Sequence, residues 1–425
     1  MRRIGLCLCL FLPAVQVVRA DDDRPALLLT GGRILNVIEG RLMPGLAVFI
    51  DGDRISKVAP TSEITVPGDV RRIDIAGLVL MPGLIDLHTH LLLRPYDEAP
   101  WNDQVLEESL ALRTIRAVVA ARSTLEAGFT TIRDLGTEGA GYADVGLRDA
   151  IDQGIITGPR VFTVTRALVA TGCYGPSGFD PRWDMPVGAE VADGPVGIRK
   201  AVRSQIAAGA DWIKVYADYR RKPGDRSTPT FSQEELNALV DEARSAGLRV
   251  AAHAVTNEAI RRSVRAGVAT IEHGTEASEA VLAMMLENNV VLCPTLAASE
   301  AMARYSGWTP GAPDHPRIVR SKEMFARALR SGVTIACGSD AGVFAHGDNL
   351  REVELMVAYG MTPAQALAAS THVAAGVLDR ANDLGRVAEG YLADLIAVRG
   401  NPLSDVSLCR KPALVIKGGR IVIDR

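Results

Sequence analysis

The sequence predicts an α/β protein, a (β/α)8 TIM barrel with a small β-sandwich module formed by both chain ends. The chain has 425 residues, 48% of them hydrophobic, which is enough for a large barrel and a smaller module. Between about residues 83 and 377, apolar runs of strand length alternate with amphipathic helical runs, as in βα units on a parallel sheet. The two ends instead show short apolar runs separated by turns such as Gly31-Gly32.

Eight apolar runs are predicted as barrel strands. Eight strands with intervening helices favour a closed barrel over an open doubly wound sheet, and no GxGxxG motif follows the first strand. The predicted strands cover residues 84–90, 129–135, 160–168, 211–218, 248–254, 268–274, 290–296 and 333–340.

One predicted helix carries clear start and stop signals. Ser232 and Glu235 have the spacing of a capping box, and Gly247 ends the helical run. Other helical runs cover residues 105–127, 257–266 and 363–369.

Residues 1–20 predict a secretory signal peptide. MRR is a basic start, residues 4–15 are apolar, and VRA (18–20) supplies a cleavage site. The apolar run is shorter than the roughly 20 residues that cross a bilayer, which disfavours a membrane anchor. We therefore expect an exported protein, periplasmic or secreted, cleaved after about Ala20.

The mature chain divides into three predicted parts. Residues 21–82 and 381–425 are the two halves of the β-sandwich module, and residues 83–380 form the barrel. The phrases GGRILNV (31–37) and GGRIVID (418–424) are predicted to be paired strands of that module, with two unrelated edge strands as the alternative.

Charge and cysteine content limit the partners. A formal net charge of -3 leaves no basic footprint for nucleic acid, and no later segment is a convincing membrane span, so the expected partner is a small molecule. The four cysteines beyond the signal peptide form no CxxC pair. A bridge between Cys293 and Cys337 stays open, because export would permit it.

Polar residues of types that commonly bind metals lie at the ends of several predicted strands. His88 and His90 end the first strand, where alternation puts both imidazoles on one face. A barrel brings its strand ends to one mouth, so four imidazoles and a carboxylate there suit zinc or another divalent ion. The candidates are His88, His90, Lys214, His253, His273 and Asp340.

Lys214 decides how this set is interpreted. An ammonium in the apolar run WIKVYA beside metal ions is electrostatically unfavourable, whereas carboxylation by CO2 turns the amine into an anion with one oxygen for each of two metals. A Schiff-base lysine is one alternative, and a lysine that only extends to solvent is another.

Five motifs in order resemble the amidohydrolase superfamily in its binuclear form with a carboxylated lysine. They are HTH (88–90), IKVYADY (213–219), HA (253–254), EHG (272–274) and GSDAG (338–342). The resemblance implies one metal on His88, His90 and Asp340. It implies a second on His253 and His273, with carboxylated Lys214 between them. It further implies two divalent ions, with Zn²⁺ the first choice, a bridging hydroxide, Asp340 as the proton shuttle, and a homo-oligomer.

Several further residues are candidates for contact with the substrate. They follow the fourth strand, lie in the glycine-rich segment 170–180, or come just after Asp340. Their hydroxyl, guanidinium or imidazole groups suit a substrate carboxylate, with solvent-exposed loop residues as the alternative. The candidates are Tyr174, Tyr216, Tyr219, Arg220 and His346.

The phrases TGCYGPSGF, GADWIKVYADYR and LCPTLAA resemble the branch with Xaa-Pro dipeptidases, carboxypeptidase-like amidases and ochratoxin-hydrolysing amidases. This resemblance implies hydrolysis of the amide bond of an N-acyl amino acid or a dipeptide. A lactonase, cyclic amidase or phosphotriesterase on the same centre is the first alternative. A metal-bearing scaffold that binds without turnover is the second.

Overall fold

Parallel strands that alternate with helices make up the middle of the chain. The computed structural model describes residues 26–68, 70–180, 182–222 and 224–425. The predicted signal peptide lies outside these residues and stays a prediction. No helix in the described part of the chain is long and apolar enough to cross a membrane.

The strands fall into sheets from the ends and sheets from the middle of the chain. The strands are β1 (Leu27–Thr30), β2 (Arg33–Asn36), β3 (Arg41–Met43), β4 (Leu46–Asp51), β5 (Arg54–Pro60), β6 (Arg71–Asp74), β7 (Leu78–Pro82), β8 (Leu84–Thr89), β9 (Phe129–Asp134), β10 (Arg160–Thr163), β11 (Leu168–Val169), β12 (Glu190–Val191), β13 (Trp212–Tyr216), β14 (Asp218–Tyr219), β15 (Thr228–Pro229), β16 (Arg249–Ala254), β17 (Thr270–His273), β18 (Val291–Cys293), β19 (Leu395–Arg399), β20 (Leu414–Lys417) and β21 (Arg420–Asp424).

Most of the helices follow strands of the central part. They are α1 (Trp101–Leu106), α2 (Leu110–Glu126), α3 (Ala143–Asp152), α4 (Gly194–Ala207), α5 (Gln233–Ser245), α6 (Asn257–Ala266), α7 (Glu279–Glu287), α8 (Leu296–Tyr305), α9 (Pro316–Ser331), α10 (Leu350–Ala358), α11 (Pro363–Ala369) and α12 (His372–Val377).

Two parallel sheets contain the central strands. One has the order β10-β9-β8 and the other the order β12-β11-β13-β16-β17-β18. Seven of the eight predicted strand regions carry these strands. The predicted strand at 160–168 is divided, because its first half pairs with β9 and its end pairs with β13. The middle of the chain is therefore α/β, as predicted.

Residues 333–340 differ from the prediction of a continuous strand. They form only isolated bridges, from Ile335 to Leu292 in β18 and from the adjoining Ala341 to Thr89 in β8. Asp340 has a φ of 65°, so the left-handed backbone at this residue interrupts a regular ladder. The segment nevertheless lies between β18 and β8, since the amide of Asp340 donates to the carbonyl of His88 at 2.7 Å.

The helix predictions from local signals are confirmed. Ser232 and Glu235 form both hydrogen bonds of the capping box at α5, and α6 and α11 have their predicted bounds. The predicted helix at 105–127 is instead two helices, α1 and α2. The Ser109 side chain accepts a hydrogen bond from the amide of Leu112, which starts a new helix.

Both chain ends contribute to one six-stranded sheet, with the order β21-β20-β19-β7-β2-β3. The prediction that the two GGRI phrases pair is wrong, because β7, β19 and β20 separate β2 from β21. A second sheet, β5-β4-β1-β6, lies beside it, and buried aliphatic side chains from both sheets form one cluster. Cys293 and Cys337 are free and buried, so no bridge joins them.

Candidate metal centre

His88 and His90 lie at the carboxyl end of β8 with Asp340 against them. Both imidazoles are buried, and the same carboxylate oxygen, Asp340 Oδ1, is 3.6 Å from His88 Nε2 and 3.3 Å from His90 Nε2. One ligand atom from each of the three residues lies within 4.8 Å of the others. This separation brings two nitrogens and one oxygen around a common point, as a metal site requires.

The backbone around Asp340 allows this close approach. A Cβ at Gly342 would lie 2.6 Å from the carbonyl oxygen of His90, and Gly342 has a φ of 115°. A Cβ at Gly338 would meet the Cβ of His88 at 3.0 Å. Glycine on both sides of Asp340 therefore lets the 333–340 segment pack against the end of β8.

His253 and His273 form the second half of the site. They end the neighbouring strands β16 and β17, and their ring centroids are 4.5 Å apart. His273 also lies 5.2 Å from His88, measured between ring centroids. The four predicted imidazoles are therefore brought together in one cluster.

Hydrogen bonds behind the imidazoles fix which nitrogen faces the cluster. His90 Nδ1 donates to the carbonyl of Gly136 at 2.9 Å. The hydroxyl of Thr295 donates to the carbonyl of Pro294, so it accepts from His273 Nδ1 at 2.7 Å. When these two imidazoles are neutral, Nε2 is the unprotonated nitrogen that faces the cluster, which is the tautomer of a metal-binding histidine.

Carboxylates lie behind the other two histidines. His88 Nδ1 is 2.8 Å from Glu272 Oε2, so its Nε2 also faces the cluster. The ring of His253 has the opposite orientation, because the nitrogen near its carboxylate is Nε2, which lies 3.6 Å from Asp218 Oδ1. Asp218 itself is held by the amides of Val255 and Thr256.

The electrostatics of the cluster favour neutral imidazoles at three positions. Burial and Lys214 lower the pKa of His88 well below its usual range. Burial and His273 do the same to the pKa of His253, and burial lowers the pKa of His273 to about 4. Neutral imidazole is the form that binds metals, so three of the four histidines are ready to bind at neutral pH.

His90 and Asp340 form the charged part of the cluster. Burial opposes the charge of His90, but Asp340 and Glu138 raise its pKa to about 9. Against its own burial, Asp340 is kept ionised because His88 and His90 hold its pKa well below the usual range. The surroundings therefore stabilise a proton on His90, beside the ionised carboxylate of Asp340. A divalent cation bound there would take the place of that proton.

Lys214 lies at the centre of β13 with its ammonium nitrogen unsatisfied. The side chain is 1% exposed, and no described residue offers a hydrogen-bond partner to Nζ. Burial lowers the pKa of Lys214. A buried amine with a lowered pKa is a nucleophile that CO2 can carboxylate, and the resulting carbamate suits a site lined with metal-binding groups. The residues present therefore fit a divalent metal centre.

Three predicted tyrosines form an aromatic cluster beside the second pair of histidines. The Tyr216 ring stacks on His253 at 4.7 Å, and the Tyr174 ring lies 4.2 Å from Tyr216 and 5.0 Å from Tyr219, all between centroids. Burial and Glu138 raise the pKa of Tyr174 and Tyr216 well above the usual range. Both phenols therefore remain hydrogen-bond donors.

Glu138 is a central residue that the sequence did not reveal. Its carboxylate is 1% exposed and accepts hydrogen bonds from Tyr174, from Tyr216 at 3.4 Å and from Trp101 at 2.8 Å. It also lies 3.7 Å behind His90 Nδ1. Glu138 thus links His90 of the cluster to the tyrosines, although the loop GTEGAG around it carries no recognisable signal.

The two remaining predicted residues have different surroundings. Arg220 is exposed, and its guanidinium lies 5.3 Å from the Tyr219 ring centroid. His346 is half-buried, and its Nε2 is 3.1 Å from the carbonyl oxygen of His90. His346 therefore contacts the backbone of the HTH motif.

A second arginine lies near Arg220. Burial, Arg320 and Arg220 together lower the pKa of Arg317 at the start of α9. Within the described ranges, no carboxylate forms an ion pair with Arg220 or Arg317. Arg220, beside Tyr219 of the aromatic cluster, therefore carries a positive charge that no carboxylate of the described residues pairs with.

Known proteins resemble this chain over most of its length. The model of the amidohydrolase family matches residues 79–422. Ochratoxinase of Aspergillus niger is 31% identical over 372 residues, which is 81% of this chain and 75% of the relative.

Two solved structures are also similar to this chain over most of its length. A Xaa-Pro dipeptidase with methionine bound in its active site is 32% identical, with a TM-score of 0.83 over 93% of this chain and 99% of that chain. The structure of A. niger ochratoxinase is 28% identical, with a TM-score of 0.81 over 95% of this chain and 96% of that chain.

Proposed function

Because the chain belongs to the amidohydrolase family, we propose that it is a metal-dependent hydrolase that cleaves the amide bond of N-acyl amino acids or dipeptides. One observation carries the proposal. Four imidazoles and the Asp340 carboxylate come together, and the buried, unpartnered amine of Lys214 is close enough to interact electrostatically with His88, His253 and His273. The similarity to a Xaa-Pro dipeptidase and to an ochratoxinase supports an amide substrate.

Two divalent ions, with zinc the first choice, would occupy the site. His88, His90 and Asp340 would hold one ion and His253 and His273 the other, with carboxylated Lys214 between them. When bound, such a pair lowers the pKa of a water molecule and polarises the substrate carbonyl. Hydrolysis then joins the water oxygen to the carbonyl carbon and breaks the carbon–nitrogen bond.

Asp340 is the proposed proton shuttle. It is ionised and lies against both histidines of the HTH motif, so it is placed to accept a proton from the attacking water. The same carboxyl group then gives the proton to the leaving nitrogen, which departs as a neutral amine. The phenol groups of Tyr174 and Tyr216 are donors beside the site.

The leaving group is proposed to be an amino acid with a free carboxylate. Arg220 lies beside Tyr219 and interacts electrostatically with Arg317, and neither arginine has a carboxylate partner among the described residues. A guanidinium binds a carboxylate through two parallel hydrogen bonds, which also orients the substrate.

The proposed arrangement of the whole chain follows the same family. Residues 83–380 form a (β/α)8 barrel whose ring is closed by the segment 333–341, and residues 21–82 and 381–425 form the β-sandwich module. Residues 1–20 direct export and are removed. The assembled protein is a homo-oligomer.

The experiment is a substrate panel on protein reconstituted with Zn²⁺ and bicarbonate after removal of metal by a chelator. The panel contains dipeptides, N-acyl amino acids, lactones and a phosphotriester, and metal content is measured on the same sample. We expect release of free amino acids that depends on metal. Turnover confined to lactones or the phosphotriester, or no metal-dependent amino acid release, contradicts the proposal.

A further inference from the structure

We propose that Glu272 positions His88 as a metal ligand and strengthens its metal-facing nitrogen as a donor. This inference rests on the proposed metal centre. Glu272 is not itself expected to touch metal or substrate. It acts through the hydrogen bond between its Oε2 and His88 Nδ1, which measures 2.8 Å.

The Glu272 carboxylate is held on both sides. Its second oxygen accepts a hydrogen bond from Arg133 at 2.9 Å and another from the hydroxyl of Thr270. Thr270 lies two residues before Glu272 in β17, so alternation puts both side chains on one face of the strand. The carboxylate has little freedom to leave His88.

Arg133 in turn is fixed to the strand that carries His88. Its Nε donates to the carbonyl of Leu87 at 2.8 Å, and its guanidinium lies 4.4 Å from the Trp212 ring centroid. Arg133 and Glu272 are fully buried and His88 is 1% exposed. In a dry environment a hydrogen bond to a charged group is strong, so the three side chains form one rigid unit.

The other histidines lack a comparable partner. His90 donates to a peptide carbonyl and His273 to the hydroxyl of Thr295, which are neutral acceptors. The Glu138 carboxylate also lies near His90 Nδ1, but its distance of 3.7 Å exceeds that of a hydrogen bond. His253 has a carboxylate near it, but the distance of 3.6 Å to Asp218 exceeds that of a good hydrogen bond. A carboxylate behind a histidine raises the basicity of the nitrogen that faces the metal. Glu272 therefore strengthens the metal position of His88, His90 and Asp340 selectively.

The test is competitive titration of metal-free protein with Zn²⁺ against a chromophoric chelator, which resolves two binding steps. We expect Glu272→Gln to weaken one step by about 10- to 100-fold, the range seen for lost partners of metal-binding histidines. Thr295→Val is the matched variant, since it removes the partner of His273. It should weaken the other step, so the two variants separate the two metals.

Glutamine leaves the Arg133 guanidinium buried without its charge partner, and this variant risks failing to fold. The double variant Arg133→Met, Glu272→Gln removes both charges and should show the same selective weakening. Circular dichroism and thermal unfolding establish that each tested variant is folded.

Three outcomes would overturn the inference. The first is that a folded Glu272 variant binds Zn²⁺ with unchanged affinity, and the second is that both Zn²⁺ binding steps weaken equally. The third is that the variant weakens the same step that Thr295→Val weakens. If the parent protein binds no divalent metal, the proposed function fails and the inference fails with it. A parent that binds two ions while Glu272→Gln binds them equally well refutes the inference alone.

Discussion

Asp340 combines an unusual backbone conformation with a side chain that contacts two histidines of the site. Its backbone is left-handed, with a φ of 65°, and this conformation directs one carboxylate oxygen toward both His88 and His90. A non-glycine residue in this region of the backbone is strained, and strain of this kind is common at functional sites. The neighbouring glycines supply the space that makes the conformation possible.

Asp340→Asn is predicted to separate metal binding from turnover. The amide oxygen can still face a metal, but it cannot accept the proton from water, so kcat should fall by about 100-fold or more. Metal content, measured by atomic emission, should stay close to that of the parent. Asp152→Asn, an exposed position in α3, is the matched control. Full activity in Asp340→Asn would remove this residue from the mechanism.

Arg220 gives a prediction about substrate recognition. Arg220→Ala should raise KM about tenfold for substrates with a free carboxylate, because a charged hydrogen bond is worth roughly 1.5 kcal/mol or more. Substrates whose carboxylate is amidated should show no such change. Steady-state kinetics on the paired substrates measures the difference, with Arg265→Ala in the last turn of α6 as control. Equal losses on both substrates would show that Arg220 does not bind the carboxylate.

The residues proposed to bind metal could be predicted from sequence, but their supporting partners could not. His88, His90, His253 and His273 each end an apolar run, and the barrel topology implies that such ends meet. Glu272 directly precedes His273, yet it contacts His88 on a distant strand. A contact of that kind depends on the three-dimensional register of strands and leaves no local pattern.

Helix α8 shows how an element is stabilised from outside its own sequence. Its N-cap residue, Thr295, has a left-handed backbone and makes no side-chain cap. The amide of Ala297 instead donates to Glu352 of α10 at 2.7 Å. The Glu352 oxygen there satisfies an amide at the helix start that has no partner within the helix.

The raised pKa of Glu352 predicts that the stability of the fold depends on pH. Burial raises the pKa of Glu352 from 4.5 to about 8, so the folded chain keeps a proton that the unfolded chain releases. Stability from this group is fully present below about pH 4.5 and is lost as the pH rises to about 8. Glu352→Gln keeps an oxygen acceptor but does not titrate.

The free energy of unfolding, from urea titrations at several pH values, is the measurement. Relative to the parent, Glu352→Gln should gain stability on the order of 3 kcal/mol between pH 5 and 8. Glu287→Gln, at an exposed glutamate that ends α7, is the control. A difference between Glu352→Gln and the parent that stays constant across this pH range contradicts the prediction.

Helices with local signals were easier to predict than the last strand. The capping boxes at α5 and α11 involve residues three apart, so their sequences carry the information. Residues 333–340 are apolar and strand-like, but the conformation of Asp340 is set by packing against β8. Tertiary contacts therefore determine the conformation of that segment, and the periodicity of the sequence alone does not predict such contacts.

At the scale of the whole molecule, Gly83 joins the end sheets to the parallel strands. β7 pairs with β19 from the other end of the chain, and after Gly83 the chain continues as β8 toward the candidate metal site. The amide of Gly83 donates to the carbonyl of Asp394 at 2.8 Å. A Cβ at Gly83 would lie 2.1 Å from Thr130 Oγ1 in β9, so the position has no room for a side chain.

Gly83→Ala is predicted to destabilise both parts of the molecule together. The clash must move β7 or β9, and overpacking of this kind costs about 1–3 kcal/mol. Gly146→Ala in α3 is the matched control, because no atom lies within 4 Å of the added Cβ and the helix should be stabilised by roughly 0.5–1 kcal/mol.

Two probes follow urea unfolding of Gly83→Ala. The four tryptophans lie between residues 101 and 308 and report on the central part, while hydrogen exchange of β19–β21 reports on the end sheet. Both probes should shift to lower urea by the same free energy. Thr130→Ala added to Gly83→Ala should restore part of the loss, because it removes the nearest clashing atoms. If only one probe shifts, the two parts unfold independently and Gly83 does not couple them.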